Sequence, residues 1–373
     1  MTSKPLGVGI VGLNPHGSWA WRSHLPALQH LSDQLSIVGV ANRSVESSQA
    51  AAAEAGIPQG FSSVEALINC PDVNIVAVTV RVPEHRRVVD AALRAGKHVY
   101  CEWPLGIDLK EAEALASLAR ESGLCAVIGT QAAVAPEIEH ARALIAEGRI
   151  GKVLSVAVIG SGLSWGQEIE PRNAYLLDRD NGGTMLSIPV GHLLAGVQRI
   201  LGPVAAVAGA ERIGYDRVRI AGGGDTAIKS APDQASFIGY LQSGPQLSVH
   251  YRAGTPPGLG LYWEILGSEG TIVIEAVNGH PQMMPLTLSM GRQGEQGLTR
   301  IQPPAGELEE LASDPMARNV GILYARMAQA IRGEDVYLPR FDDAHALHRV
   351  IAAISESTVT RGWVDIELKA TRT

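Results

Sequence analysis

Three cysteines, three phenylalanines and 5% aromatic residues are little for a chain of 373 positions, and each shortage removes a class of protein. Cys70, Cys101 and Cys125 are odd in number and widely spaced, with no CxxC pair and no His cluster at metal spacing. Neither a disulfide framework nor a metal site is expected, and the thiols read as reduced, in a cytoplasmic protein. Basic charge is scarce too: 31 Lys and Arg against 38 Asp and Glu give a net −7. That leaves no basic footprint for direct nucleic-acid binding. No apolar run approaches the ~20 residues of a membrane span, and no apolar signal core precedes the first strand, so neither membrane insertion nor secretion is expected. What is present, 46% hydrophobic and 18% charged residues, suits a globular chain long enough for two domains.

From Leu6 to about Thr130, short β-branched runs alternate with Ala/Leu-rich amphipathic stretches, the pattern of a parallel sheet covered by helices. Strands are expected at 6–11, 36–42, 74–80, 98–101 and 125–129, with helices starting near Ser18, Val45, Pro83 and Asp108. Asp108 and Glu111 have the spacing of a capping box. After a helix at 137–147 the pattern changes to period-two strands at 153–159, 205–211, 236–242, 247–252, 262–267 and 271–275. The third and fourth of these read as a hairpin. Helices at 319–331 and 343–361 follow, and the Gly/Pro-rich stretches 214–233 and 292–306 read as mobile surface loops. The fold class is α/β: a doubly wound parallel sheet over residues 1–130, then an α+β domain on a mostly antiparallel sheet over 131–373. The C-terminal helix is expected to pack back towards the first domain.

The literal GxGxxG match, Gly7 to Gly12, lies partly inside the first strand, where two of its glycines cannot approach a phosphate. The working register starts at the strand's end: Gly12-Leu13-Asn14-Pro15-His16-Gly17, then Ser18 at a helix start. Asn14 stands where a second glycine is usual, and Asn tolerates a left-handed backbone better than most side chains. Amides at Gly17 and Ser18, with the helix dipole, point to a dinucleotide's phosphates. The plainer alternative is an ordinary strand-to-helix turn. The second strand ends in Asn42-Arg43-Ser44 rather than in an acid. An acid there would hold the ribose hydroxyls and repel a 2′-phosphate, so NADP(H) is favoured over NAD(H). Arg43 could instead be solvated or stack on the adenine.

The segment Gly96-Lys97-His98-Val99-Tyr100-Cys101-Glu102-Trp103-Pro104 reads as a buried strand stopped by proline, placing Glu102 and Trp103 just past its carboxyl end. Ligands bind at that edge of open α/β sheets.

Taken together, the turn, this strand end and the antiparallel second domain resemble the Gfo/Idh/MocA oxidoreductases along nearly the whole chain. Gly12-Leu13-Asn14, Trp19-Ala20, His24, Glu102-Trp103 and Gly191-His192 look most like the branch containing the fungal galactose-regulon repressor. The resemblance implies a Rossmann domain binding NAD(P), a substrate site over the second sheet, and a homodimer or homotetramer formed through that sheet's outer face. It places His85, Glu102 and Gln131 beside the nicotinamide ribose, with Arg81 and Trp103 counted among the cofactor residues. Residue 103 departs from the family, whose dehydrogenases usually carry a proton-relaying Lys there. An indole N–H has no accessible proton-transfer pKa. Ala133 and Ala195 replace a common Arg and an Asp of the similar branch.

For hydride transfer, one group must take or give the hydroxyl proton. In the stretch 182–192, which resembles the family's substrate helix, His192 is the best candidate, since imidazole titrates near neutral pH. Helix capping or packing is the alternative. Tyr175 and Asp178 could share the relay or bind hydroxyls, and Trp103 with Trp165 could form an apolar wall for a sugar ring or an aromatic compound. Three functions follow. The first is an NADP(H)-dependent oxidoreductase, with NAD(H) possible, acting on a sugar, polyol or related carbonyl. The second is a non-enzymatic dinucleotide-binding regulator, and the third glycoside cleavage through transient oxidation.

Overall fold

A computed structural model describes residues 4–15, 17–254, 257–258 and 260–367. The chain gathers into two compact units: residues 1–131 with 307–345, and 132–306 with 346–373. A single cut at residue 130 therefore misses the return of 307–345 to the first unit.

The first unit runs β1 (Leu6–Val11), α1 (Trp19–Arg22), α2 (His24–His30), β2 (Leu35–Ala41), α3 (Val45–Ala55), α4 (Val64–Ile68), β3 (Ile75–Val78), α5 (His85–Arg94), β4 (His98–Glu102), α6 (Leu109–Ser122) and β5 (Ala126–Gly129). Its five strands are parallel, in the order β2-β1-β3-β4-β5. Every residue of β3 and β5 is buried. This is why these strands read as continuous apolar runs, since helices cover both faces of such a sheet. α5 buries His85, Val88, Val89, Ala92 and Leu93, one stripe at helical spacing. Asp108 caps α6 by accepting from Glu111 N–H at 2.8 Å, while the Glu111 carboxylate reaches back to Ile107 N–H rather than to Asp108. Because the chain crosses from one side of β1 to the other between β2 and β3, the topological switch point lies at the carboxyl ends of β1 and β3.

The second unit runs α7 (Pro136–Ala146), β6 (Val153–Gly162), β7 (Glu168–Ile169), α8 (Gly191–Leu201), β8 (Val204–Arg212), β9 (Arg217–Ile220), β10 (Thr226–Ile228), β11 (Gln234–Leu241), β12 (Gln246–Ala253), β13 (Leu261–Gly267), β14 (Gly270–Ala276), β15 (Thr287–Arg292) and β16 (Thr299–Ile301). With β17 (Val364–Asp365), nine strands form one sheet in the order β16-β15-β14-β13-β6-β12-β11-β8-β17, antiparallel except for β6 and β12. In β11 and β12 buried residues alternate with exposed ones, as in a sheet with one covered face, and the two strands form the hairpin the sequence implies. A side chain at Gly160 would place its Cβ 2.1 Å from the Tyr251 ring, so this ring packs only because Gly160 has none.

Residues 214–233 are not the loose loop expected from their glycines. β9 and β10 form a small sheet with β7, and Lys229 and Asp233 are buried as an ion pair of 2.5 Å. The Lys229 ammonium also donates to the Trp165 carbonyl, and Asp233 accepts from the Gly214 and Tyr215 amides, so this charge pair ties the segment down. Residues 292–306 likewise contain β16, paired with β15. Two helices close the chain, α9 (Pro315–Ile331) and α10 (Phe341–Thr360). α9 belongs to the first unit and packs on α2, where a Cβ at Gly321 would come 3.6 Å from Ala27.

Candidate functional site

In the first unit the chain leaves β1 at Gly12 with φ of 109°. A Cβ there would lie 2.9 Å from Val80 Cγ1 and 3.0 Å from the Thr79 carbonyl carbon, so glycine is required for both the backbone angle and the space. Ser18 closes the turn: its hydroxyl donates to Asn14 O at 2.6 Å and accepts from Trp21 N–H at 3.3 Å, capping α1. Asn14 is exposed, and Gly17 also has positive φ, at 124°. His16 lies outside the described residues.

At the end of β2, two of the three residues expected to meet a 2′-phosphate are otherwise engaged. The Asn42 amide donates to the carbonyls of Leu13 at 2.7 Å and Ser47 at 3.1 Å, bracing the turn after β1. Ser44 caps α3, accepting from Ser47 N–H at 3.2 Å. Arg43 is exposed and has no partner among the described residues. Arg81, just past β3, is also exposed.

His85 is buried, with Nδ1 2.8 Å from Pro104 O and Nε2 2.9 Å from Val80 O, and burial pushes its pKa down. It straps the end of β3 to the segment after β4. Both ring nitrogens face backbone carbonyls.

Glu102 is the last residue of β4, paired with Gly129, rather than a residue beyond the strand. Its buried carboxylate receives Gln131 Nε2 at 2.8 and 2.9 Å and His24 Nε2 at 2.8 Å. His24 Nδ1 is 2.8 Å from the Tyr324 hydroxyl, and the Tyr100 ring stacks on Tyr324 at 4.7 Å. Burial, followed by the charge of Glu102, raises the pKa of both tyrosines. Trp103 follows, buried, and joins Pro104 through a cis peptide bond. The sequence marks His24 only through the resemblance to the repressor branch and gives no sign of Tyr324. They lie 300 positions apart, and no local pattern connects them.

In the second unit, Thr184 and Ser187 cap each other's amides at 2.8 and 3.0 Å and start a π-helical turn, Leu186–Val190, that runs into α8. Such turns occur often at functional sites. His192, the second residue of α8, is buried, and its Nδ1 has no hydrogen-bond partner among the described residues. Burial, with the nearby His280 second, pushes its pKa down to about 3. This corrects the expectation of a group titrating near neutrality, because the dry surroundings oppose the charged form. His280 is also buried and is pushed down to about 4. Its Nε2 accepts from Leu163 N–H at 3.1 Å, and its Nδ1 lies 3.3 Å from the Gln282 amide nitrogen. A lone His between Gly279 and Pro281 was its only trace in the sequence.

The exposed Asp178 carboxylate accepts from Asp180 N–H at 3.1 Å and the Ser230 hydroxyl at 3.2 Å, both on Oδ1, and so caps a short turn. Trp165 is fully buried, its N–H donating to Leu176 O at 3.1 Å, and lines no open mouth. Tyr175 is half-buried.

Residues 6–130 match the oxidoreductase family described as an NAD-binding Rossmann fold, and residues 136–276 match the C-terminal domain of Gal80p. The galactose/lactose metabolism regulatory protein GAL80 of Kluyveromyces lactis is 31% identical over 307 residues, covering 77% of this chain and 67% of that protein. The chain belongs to the Gfo/Idh/MocA family. The dehydrogenase aclE of Aspergillus oryzae is 28% identical, covering 79% of this chain and 83% of aclE. The solved structure of the transcriptional regulator Gal80p from Kluyveromyces lactis superimposes with a TM-score of 0.85 at 27% identity, covering 98% of this chain and 92% of that one. The Gfo/Idh/MocA Rossmann domain corresponds to the first unit's parallel sheet, and the Gal80p-like domain to the α7–β14 portion of the second.

Proposed function

We propose that this chain is an oxidoreductase that uses NADP(H) in preference to NAD(H) and acts on a sugar, polyol or related alcohol or carbonyl compound. The observation that carries the reading is the carboxyl edge of the first unit's sheet. There a turn that only glycine can make at Gly12 and a hydrogen-bonded carboxylate at Glu102 stand at strand ends of an NAD-binding family. Gly12 lets the chain turn at the end of β1 while packed against Thr79 and Val80, at the carboxyl edge where a dinucleotide's phosphates would meet backbone amides, so the residues fit the cofactor. When bound, the nicotinamide supplies or accepts the hydride. Arg43, exposed and uncommitted, would meet a 2′-phosphate; Glu102 and Gln131 would face the nicotinamide end. His192, a neutral imidazole, would hold the reacting hydroxyl by a hydrogen bond at its unpartnered Nδ1, with Tyr175 binding a substrate hydroxyl.

In this reading the protein works in a reducing cytoplasm, its three cysteines free, and associates with copies of itself. Among the described residues no helix is long and apolar enough to cross a membrane. Ile159, Ile238, Tyr240 and Leu266 are exposed on the outer face of the nine-stranded sheet, the surface that would join the copies.

The test is nicotinamide absorbance on mixing the protein with NADP+ or NADPH and a panel of sugars, polyols and aryl carbonyls. Turnover of any member supports the enzyme. A second reading, a dinucleotide-binding regulator like the GAL80 relatives, is favoured by Trp103 in the position of the family's lysine. Dinucleotide binding with silence across the panel would support it instead.

A further inference from the structure

Glu102 carries a charge that no other side chain cancels. Two buried neighbours, Gln131 and His24, aim N–H groups at its carboxylate, an arrangement that matches the ionised form, which only accepts. The charge on His24 follows from Tyr324. The only partner of that buried hydroxyl among the described residues is His24 Nδ1, 2.8 Å away, and the hydroxyl's proton is satisfied only if it donates there. His24 then keeps one proton, on Nε2, pointing at Glu102, and is neutral. Among the described residues no Lys or Arg pairs with Glu102, and the next residue is Trp103. Neutral donors fix a carboxylate in place without cancelling its charge, and an uncompensated buried charge is costly until a cation comes near.

Resting on the cofactor reading above, we propose that the first unit holds a charge-selective nicotinamide subsite. Glu102 makes it bind the oxidised, cationic ring more tightly than the reduced, neutral one. His24, backed by Tyr324, is the positioning residue that holds the carboxylate with its single negative charge. Trp103 sharpens the preference by supplying apolar surroundings and no ammonium, so that the compensating cation has to be the ligand.

The experiment is equilibrium binding of NADP+, NADPH, NAD+ and NADH to the full chain, followed by calorimetry. The wild type should bind each oxidised form roughly tenfold or more tightly than its reduced partner, the size expected for opposite charges a few ångströms apart in partly buried surroundings. Glu102→Gln should bring this ratio close to one, mainly by weakening the oxidised form, and Trp103→Lys should lower it by adding an ammonium. Tyr324→Phe removes a single hydroxyl and should lower the ratio by a smaller factor, which keeps the test open if the other variants fail to fold. Equal binding of both redox forms by the wild type would overturn the proposal and leave the cofactor reading standing. So would a ratio that survives Glu102→Gln, or a Tyr324→Phe variant that weakens both forms equally. Failure to bind any dinucleotide would remove the cofactor reading and this inference with it.

Discussion

In the first unit a buried carboxylate is met by N–H donors from two side chains; in the second a buried imidazole nitrogen meets none. Both groups sit where strands or helices begin and end, and both are dry, yet burial acts on them differently. Around Glu102 the protein supplies neutral donors, which hold the group in one orientation. Around His192 burial and a second imidazole suppress the charge, and Nδ1 is left bare. A buried polar atom without a partner costs about 1–3 kcal/mol, and a substrate hydroxyl is the kind of partner that would offset the cost. The contrast is between a site whose geometry is complete before any ligand arrives and one whose hydrogen bonding is left for the ligand to finish.

The sharpest way to break this comparison is at His192. His192→Ala should lower turnover by roughly 10²-fold while dinucleotide affinity stays within about twofold, because the hydrogen bond to the reacting hydroxyl is lost and the first unit is untouched. Steady-state rates beside binding titrations check this, and unchanged turnover would remove His192 from the chemistry. Acid is the next lever. The unfolded chain protonates these imidazoles near pH 6.5, but folded His192 and His280 resist protonation down to about 3 and 4. Between those limits the unfolded state binds more protons. Stability should therefore be full above about pH 6.5 and fall by a few kcal/mol as the pH drops towards 4. Melting temperatures across that range should show the slope, and His280→Gln should flatten it.

Two smaller effects belong to the first unit. Gly12→Ala would force a side chain into a φ of 109° and against Val80 and Thr79. A loss of about 1–3 kcal/mol in stability, read by denaturant unfolding, should accompany weaker dinucleotide binding. Arg43→Ala should weaken NADP+ by roughly tenfold and NAD+ hardly at all, the loss of one charge-assisted phosphate contact. Equal effects on both cofactors would place the 2′-phosphate elsewhere.

Periodicity carried much of this into view. Continuous apolar runs marked strands buried on both faces, and alternation marked β11 and β12, because side-chain period follows burial directly. The strands β7, β9, β10 and β16 leave little trace in the sequence because each is only two to four residues long and lies close to glycines or prolines that read as loop. What organises residues 214–233 is a buried ion pair, Lys229 with Asp233, and nothing in the local sequence distinguishes a buried lysine from a solvated one. Asn42, Ser44 and Asp178 were read as ligand-facing because their chemistry suits ligands. The same chemistry also suits capping and bracing, and in all three the backbone nearby took the side chain first.

By itself the sequence determined the alternation of strands and helices, the glycine turn at Gly12, the carboxylate at the end of β4 and the substitution at Trp103. These depend on neighbours within a few positions and on the periods of helix and strand. The tertiary structure alone decided the charge environment. It brought Tyr324 and His24 together behind Glu102, set His280 near His192, and buried both imidazoles. Hydrogen bonding and desolvation depend on distance in space, and for these groups the distance along the chain carries no trace of it.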